Sequence, residues 1–236
     1  MWEDFSSTVG FWADMDHPYV TYDDNYIESE WWALKEIWNK NLLYKGFKIV
    51  PYCPRCGTPF SAQEVSQGYK TVKERSAIVR FKVVGEEAYF LAWTTTPWTL
   101  PSNLALCVNP DETYCKVKAA DGYTYYLAEA LMDKVLGKLA KEDEKAYEIL
   151  ETYKGKDLEY KEYEPLWECT REAAAKQKKK AHFVVCDSYV TMSDGTGIVH
   201  IATAFGEDDN RVGRDYNLPF VQFVDGQGNM AKETPY

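Results

Sequence analysis

AIVRFKVVGEEAYFLAWTTTPWTLPSN, residues 77–103, decides the fold. Two runs rich in β-branched and aromatic residues, 77–84 and 89–93, flank Gly85-Glu86-Glu87. That is the pattern of an antiparallel hairpin. The second run passes straight into Thr94, Thr95, Thr96 and Thr99, interrupted by Pro97 and Pro101. Proline removes a ladder donor and fixes φ, so the strand ends there and a stiffened loop begins. Two readings of that loop stand open. It is a turn capping a helix, or a row of preorganised hydroxyls and backbone groups that holds a polar ligand or a water.

Outward from the hairpin, 104–108 and 113–117 read as a further strand pair around Asn109-Pro110-Asp111, and a third hairpin turns at Asp121-Gly122. Residues 128–139 read as a helix, 154–163 as a polar, solvent-facing strand, and 168–180 as a second helix. Strands follow at 181–186 and 198–201, then a loop over 202–210. On the N-terminal side, Asp23-Asp24-Asn25 can cap a helix reaching about Leu43, with Ile27, Trp31, Leu34, Trp38 and Leu42 in one apolar stripe. Trp32 lies off that stripe, so this helix is expected to pack on two sides. A strand is expected at 47–52 and another at 221–224, before the Gly226–Gly228 turn. Strands outnumber helices, nothing repeats, and no βαβ unit with a phosphate-binding glycine loop occurs. The expected fold is α+β, a mixed β-barrel-like sheet with peripheral helices. The expected division is an N-terminal flank and helix (1–46), a connector carrying a Cys pair (47–76), the main domain (77–220) and a C-terminal return strand (221–236).

With 45% apolar residues, eight Trp, eighteen Tyr and ten Phe in 236 residues, the chain can bury a real core, which excludes disorder of the whole. A formal charge of −10 argues against coating duplex nucleic acid through a broad basic face. Gripping the end of a nucleic acid needs only a few local contacts and stays open. The one basic run, KQKKK at 176–180, is a solvated face or a contact with nucleic acid or a partner. No apolar run approaches a membrane span and no signal pattern opens the chain, so a soluble, cytoplasmic monomer without membrane contact is expected.

Cys53-Pro-Arg-Cys56-Gly57 has the spacing of half a zinc knuckle, with a structural thiol pair and a redox pair as alternatives. Cys107, Cys115, Cys169 and Cys186 each lie alone, so no second pair completes a metal site. In SDGTGIVHIATAFGEDD, residues 193–209, a tight turn leads into a short strand bearing His200, then into three acids ending at Asp209. Taken separately, these are a structural histidine and a solvated turn or helix cap. Taken together, they set a carboxylate opposite a histidine across a small pocket, suited to binding a cationic group rather than to supplying a nucleophile.

WTTTPWTLPSNLAL, SDGTGIVHIATAFGEDD and YKGFKIVPYCPRCGTPFS together resemble the editing insertion of isoleucyl-tRNA synthetases, over essentially the whole chain. Related valine and leucine enzymes usually carry arginine in a TTRP-type motif, where this chain reads Thr94-Thr95-Thr96-Pro97. HIGH and KMSKS-type ATP signatures are absent, so the resemblance implies an editing domain without the aminoacylating site. It implies hydrolysis of valine esterified to tRNA(Ile). A single binding step discriminates one methylene too weakly, a point these enzymes commonly illustrate, and a second sieve is the remedy. By the same resemblance, Asp209 pairs with the substrate's α-ammonium. His200 and Phe205 shape the side-chain pocket, and Thr94, Thr95, Thr96 and Thr99, with Trp93 and Asn103, hold the terminal adenosine, the ester carbonyl and the attacking water. Thr94, Thr95, Thr96 and Asp209 are the catalytic candidates. Trp93, Thr99, Asn103, His200, Phe205 and Asp209 are the substrate-binding ones.

Editing requires no cofactor. The family's second CxxC lies beyond this insertion, so Cys53 and Cys56 are expected to be half a site, with zinc weak or absent. The implied partners are the 3′-terminal aminoacyl-adenosine of tRNA(Ile) and the synthetase's own catalytic domain, which the helix bearing Trp31 and Trp32 would contact. Two departures from the family pattern stand out. Thr203 occupies a position where proline is common, and Asn210 one where an aromatic is common. Loss of proline is expected to loosen the loop carrying Asp209. The rival readings are a non-catalytic module for the tRNA 3′ end and a valine-enzyme-type domain that clears threonine.

Overall fold

The computed structural model describes residues 1–137 and 146–234, and the chain divides into two compact units, Met1–Lys48 and Ile49–Tyr236. The first holds helices α1 (Trp2–Thr8) and α2 (Asp24–Asn39), and none of its residues is buried. Asp23 takes the N-cap position of α2, and the helix stops at Asn39, short of Leu43. Its stripe is present but bare, with Trp31, Trp32 and Trp38 all about two-thirds exposed.

The second unit opens with a small hairpin of β1 (Tyr52–Cys53) and β2 (Thr58–Pro59) around the CPRCG turn. A strand over 47–52 does not form; only Tyr52 pairs. Helix α3 (Ala62–Gln67) starts on a capping box in which Ser61 and Glu64 exchange side-chain and backbone bonds. There follow β3 (Ala77–Lys82), β4 (Tyr89–Thr94), β5 (Ala105–Val108), β6 (Thr113–Ala119), β7 (Thr124–Ala128), α4 (Met132–Leu136) and β8 (Tyr147–Lys154). The chain continues through α5 (Glu168–Lys176), β9 (Phe183–Cys186), β10 (Ile198–Ile201) and α6 (Glu207–Asp215). The helix expected to reach Leu139 is seen as α4, and its last expected residues lie outside the described ones.

The expected hairpin forms, with β3 and β4 antiparallel from Ala77↔Thr94 to Lys82↔Tyr89. On its other edge β4 is shared. Tyr89 and Phe90 pair in parallel with β7, while Trp93 pairs in parallel with Val199 of β10. Because two strands diverge from one edge, the mixed sheet β8-β6-β7-β4-β10-β5-β9 curls rather than lying flat. Single pairs Val83↔Tyr163 and Glu162↔Phe183 then link β3 to β9, completing a barrel-like ring. Phe81, Phe90, Leu106, Tyr163, Val184 and Ile198 fill its interior. Leu91, Cys115, Leu127 and Leu136 form a second layer, and Cys107, Val185, Ile201 and Val212 a third that seats α6.

Four expectations need correction. Residues 104–108 and 113–117 are both strands but not partners: β5 lies between β10 and β9, while β6 lies between β7 and β8. All four residues of β5 are buried, as a central strand requires. The polar strand over 154–163 is broken. Gly155 lies under the Asn109 carbonyl, where a Cβ would be 2.0 Å from the oxygen, and a short 3-10 turn follows. Tyr163 then turns inward as the buried plug that joins β3 to β9. The loop over 202–210 is a loop only to Gly206, because its acids form the first turn of α6. Residues 221–224 form no ladder; a single Val224↔Met230 pair holds them, while Val221 and Phe223 pack on Leu104.

Candidate active site

Parallel pairing of β4 and β10 sends their C-terminal ends out side by side. The loops that follow, 95–103 and 202–206, therefore emerge at one end of the barrel. Two contacts tie these loops together. Thr99 Oγ1 lies 3.0 Å from His200 Nε2, and the Trp98 and Phe205 rings meet edge to face at 5.4 Å. Strand alternation sets the directions. Ile198 and His200 face the barrel interior, as do Phe90, Ala92 and Thr94.

The threonines divide into two kinds. Thr94 and Thr99 are buried. Thr94 Oγ1 accepts the Thr96 N–H at 3.0 Å, and the Thr99 hydroxyl donates to the Thr96 carbonyl at 2.8 Å. They hold the turn. Thr95 is exposed and its side chain bonds to no described residue, while Thr96 is half-buried with its hydroxyl 3.3 Å from Thr99 Oγ1. These two carry the hydroxyls available to a ligand.

His200 is 6% exposed and burial pushes its pKa down to about 4, so it is neutral. Since the Thr99 proton is committed to the Thr96 carbonyl, His200 Nε2–H donates to Thr99 and Nδ1 carries the lone pair. Nδ1 has no partner. A buried, neutral ring on Thr99 acts first as a brace for the threonine turn.

Asp209 stands in the first turn of α6, half-buried. Its Oδ2 accepts the Ala202 N–H at 3.0 Å, clamping the helix start to the end of β10. Burial raises its pKa to about 6, against the Ala202 hydrogen bond that lowers it and with a smaller push from Asp208. Gly206 makes room for it; a Cβ there would lie 2.9 Å from Asp209 Cγ. Asp208 is engaged elsewhere. Arg211 holds it at 3.1 Å and grips Asp187 with both nitrogens at 2.7 and 3.0 Å. Asp209 is thus the acid turned toward the strand ends.

The structure does not gather every candidate. Trp93 neighbours Thr94 on a strand and so points to the other face, where it meets Gly195. Asn103 is buried and committed at both ends. Its Nδ2 donates to the Ala105 carbonyl at 3.0 Å and its Oδ1 accepts from Tyr163 at 2.6 Å. It belongs to the barrel closure. Trp98, inside the threonine stretch, has no distinguishing signal in the sequence, yet it bridges the two loops. A cavity of about 630 Å³ opens beside that bridge, lined by Trp98 and Phe205 together with Ile49, Tyr52, Val224 and Met230. It adjoins the threonine turn without including Thr95, Thr96 or Asp209. The Thr95 and Thr96 hydroxyls and the Asp209 carboxylate therefore lie together at the strand ends, with the cavity as their apolar neighbour.

The loop expected to be loose is pinned. Thr203 Oγ1 donates to the Pro219 carbonyl at 2.9 Å, and Asn210 Nδ2 donates to the Thr203 carbonyl at 3.0 Å. The two departures from the family pattern are partners in one network that replaces the stiffness of a ring.

Cys53 and Cys56 sit on the β1–β2 turn, with Gly57 at φ +70° and the Cys56 N–H 3.3 Å from Cys53 Sγ. That hydrogen bond is the main cause lowering the Cys53 pKa. Among the described residues no third His, Cys, Asp or Glu joins the two thiols. Two ligands do not make a tetrahedral site.

The family model for tRNA synthetases class I (I, L, M and V) matches residues 1–201. The chain belongs to that family. Among class I synthetases, isoleucine–tRNA ligase of Clostridium kluyveri is 53% identical over 236 residues, all of this chain and 22% of that protein. The enzyme of the same description from Clostridium acetobutylicum is 53% identical over 234 residues, 99% of this chain and 21% of that protein. The chain thus spans about a fifth of the length of the curated class I synthetases it matches. A solved P. knowlesi cytosolic leucyl-tRNA synthetase editing domain is 16% identical at a TM-score of 0.48, covering 64% of this chain and 66% of that one. No helix among the described residues is long and apolar enough to cross a membrane.

Proposed function

We propose that this chain hydrolyses an aminoacyl ester at the 3′ end of tRNA, as the editing part of an isoleucine enzyme, with valine on tRNA(Ile) as the substrate. The observation that carries it is the half-buried Asp209 carboxylate fixed at the strand ends from which the Thr95-Thr96 hydroxyls emerge. A cationic α-ammonium beside Asp209 would hold the carboxylate ionised and lower its pKa again. Thr95 and Thr96 would orient the attacking water and polarise the ester carbonyl. An activated ester needs this positioning more than a strong base. His200 fits a bracing role, and the apolar wall near Phe205 fits a small aliphatic side chain. The bare aromatic face of Met1–Lys48 suits contact with the remaining polypeptide of a longer synthetase.

The test is single-turnover hydrolysis of valyl, threonyl and isoleucyl esters of adenosine. Valyl ester cleaved well above background, with isoleucyl ester spared, supports the reading. Faster cleavage of threonyl ester would move the domain to the valine-enzyme type, and no cleavage of any ester would leave a binding module. In the Thr95→Ala/Thr96→Ala double variant the rate should drop about 10²-fold with cooperative unfolding retained, since neither side chain is fully buried. Loss of cooperative unfolding would assign both threonines to the fold. For the knuckle we propose weak zinc affinity, and metal analysis should find well under one zinc per purified chain. One tightly bound zinc would overturn that.

A further inference from the structure

We propose that a second site, on the face formed by Tyr160 and Lys178 to Lys180, binds the single strand of nucleic acid that carries the ester. This rests on the tRNA-end reading above and adds where the strand runs. A cavity of about 440 Å³ opens there, floored by aromatic rings. Tyr160 stacks on Phe183 with centroids 5.7 Å apart and planes at 29°, and Tyr216 leans on both. Tyr160 remains 62% exposed, so its outer face is free to take another ring. Lys178, Lys179 and Lys180 form the rim, and Glu162 is the one acid in the lining. Lys178 and Lys180 are exposed, and no carboxylate among the described residues pairs with either. On a chain of net charge −10, three consecutive lysines over a stacking platform form a local exception. Stacked aromatics flanked by cations are the general solution for single strands, because every base has a π-face and every linkage a charge.

Backbone conformation supplies an independent sign. Tyr160, Lys178 and Asn217 all line this cavity with φ of 66°, 55° and 51°, and His182, next to Phe183, has 65°. Asn217 follows α6, where asparagine is an ordinary left-handed terminator. Lys178 follows the C-cap of α5, where glycine is usual, and Tyr160 stands in the same place after the 3-10 turn over 155–158. Bulky residues held in this region cost energy, and such strain gathers where a surface must keep a functional shape.

The cavity also lies at the right end of the barrel. Phe183 pairs with Ala105, and Ala105 pairs with Ile201, which precedes the loop leading to Asp209. Lys179 Nζ donates to the Leu218 carbonyl at 2.9 Å, adjacent to the Pro219 carbonyl that anchors Thr203. A strand lying over Tyr160 would thus approach the end from which Thr95 and Asp209 emerge.

The experiment is fluorescence anisotropy of the full chain with a labelled single-stranded RNA ending in CCA, across a salt series. Lys178→Gln/Lys180→Gln should weaken binding about tenfold at low salt and reduce the salt slope by one to two, about one for each phosphate left without its lysine. Tyr160→Asn keeps a residue suited to the left-handed backbone and should weaken binding about tenfold with the slope unchanged. Lys40→Gln/Lys45→Gln, the same charge change on the first unit, should do neither. All variants should hydrolyse valyl-adenosine at the unaltered rate, since that small ester does not reach the platform. An unaltered chain that fails to bind the RNA, or a control pair that weakens binding as much as the Lys178/Lys180 pair, overturns the proposal. Failure of ester hydrolysis in the unaltered chain counts against the editing reading, while the RNA measurements judge this site separately.

Discussion

Asp209→Asn should lower single-turnover hydrolysis of a valyl ester about 10²–10³-fold and at the same time make the fold more stable above neutral pH. On the proposed reading, the activity loss follows from removing the carboxylate that would face the substrate's α-ammonium. The amide can still accept the Ala202 N–H, so the helix start stays clamped. The stability gain follows from the raised pKa. An ordinary aspartate titrates near 3.8, whereas burial lifts Asp209 to about 6 in the folded chain. The folded form therefore holds this proton more tightly than the unfolded form does. Its contribution to stability is fully present below about pH 3.8 and is lost as pH rises through about 6. Above that, the wild-type fold carries an ionised, half-buried carboxylate at a cost. Melting temperatures of the two proteins should differ least near pH 4, diverge through pH 6 and stay apart to pH 8. A difference that does not vary with pH would mean that Asp209 is not the titrating group. On the proposed reading, the same carboxylate should set the pH profile of the unaltered chain's activity. Its kcat/KM for a cationic substrate should fall about tenfold per unit below pH 6 as the free carboxylate takes its proton.

Much of this site was legible in the sequence where the signal is local. The hairpin around Gly85 follows from alternation alone, and Pro97 and Pro101 mark where β4 must give way to a turn. Alternation also separates Trp93 from the threonines with which the family resemblance groups it. Trp93 and Thr94 are consecutive on a strand and cannot face one ligand, so Trp93 belongs with Gly195. Asn103 could not be placed this way, because its hydroxyl partner, Tyr163, is sixty positions downstream. Tyr163 itself was hidden in a polar run. Its burial depends on single residue pairs to β3 and β9, which leave no periodic trace in the sequence. The helical start at Glu207 was masked by its acids, which read equally well as a solvated turn.

The Thr203 loop shows how a departure from a family pattern is absorbed, and it yields the second large effect. Gly213 sits on the face of α6 that packs against this loop, and a Cβ there would lie 2.5 Å from Thr203 Cγ2. Gly213→Ala should therefore destabilise the chain by about 1–3 kcal/mol through overpacking, measured by urea unfolding. The shift also reaches the acid. Asn210 donates to the Thr203 carbonyl, and Asp209 is clamped to Ala202, the residue before Thr203. A displacement of about 1 Å at a positioning group can cost about 10²-fold in rate, and ester hydrolysis by Gly213→Ala should fall by about that much. Thr203→Ser removes the obstructing methyl but keeps the hydroxyl that donates to Pro219. Adding it to Gly213→Ala should restore most of both losses, with a coupling energy of about 1–2 kcal/mol in the double-mutant cycle. Additive losses would mean that the methyl is not the obstruction. Recovery of stability without recovery of rate would separate the packing of α6 from the placement of Asp209, and would return the rate defect to the Asn210 bond.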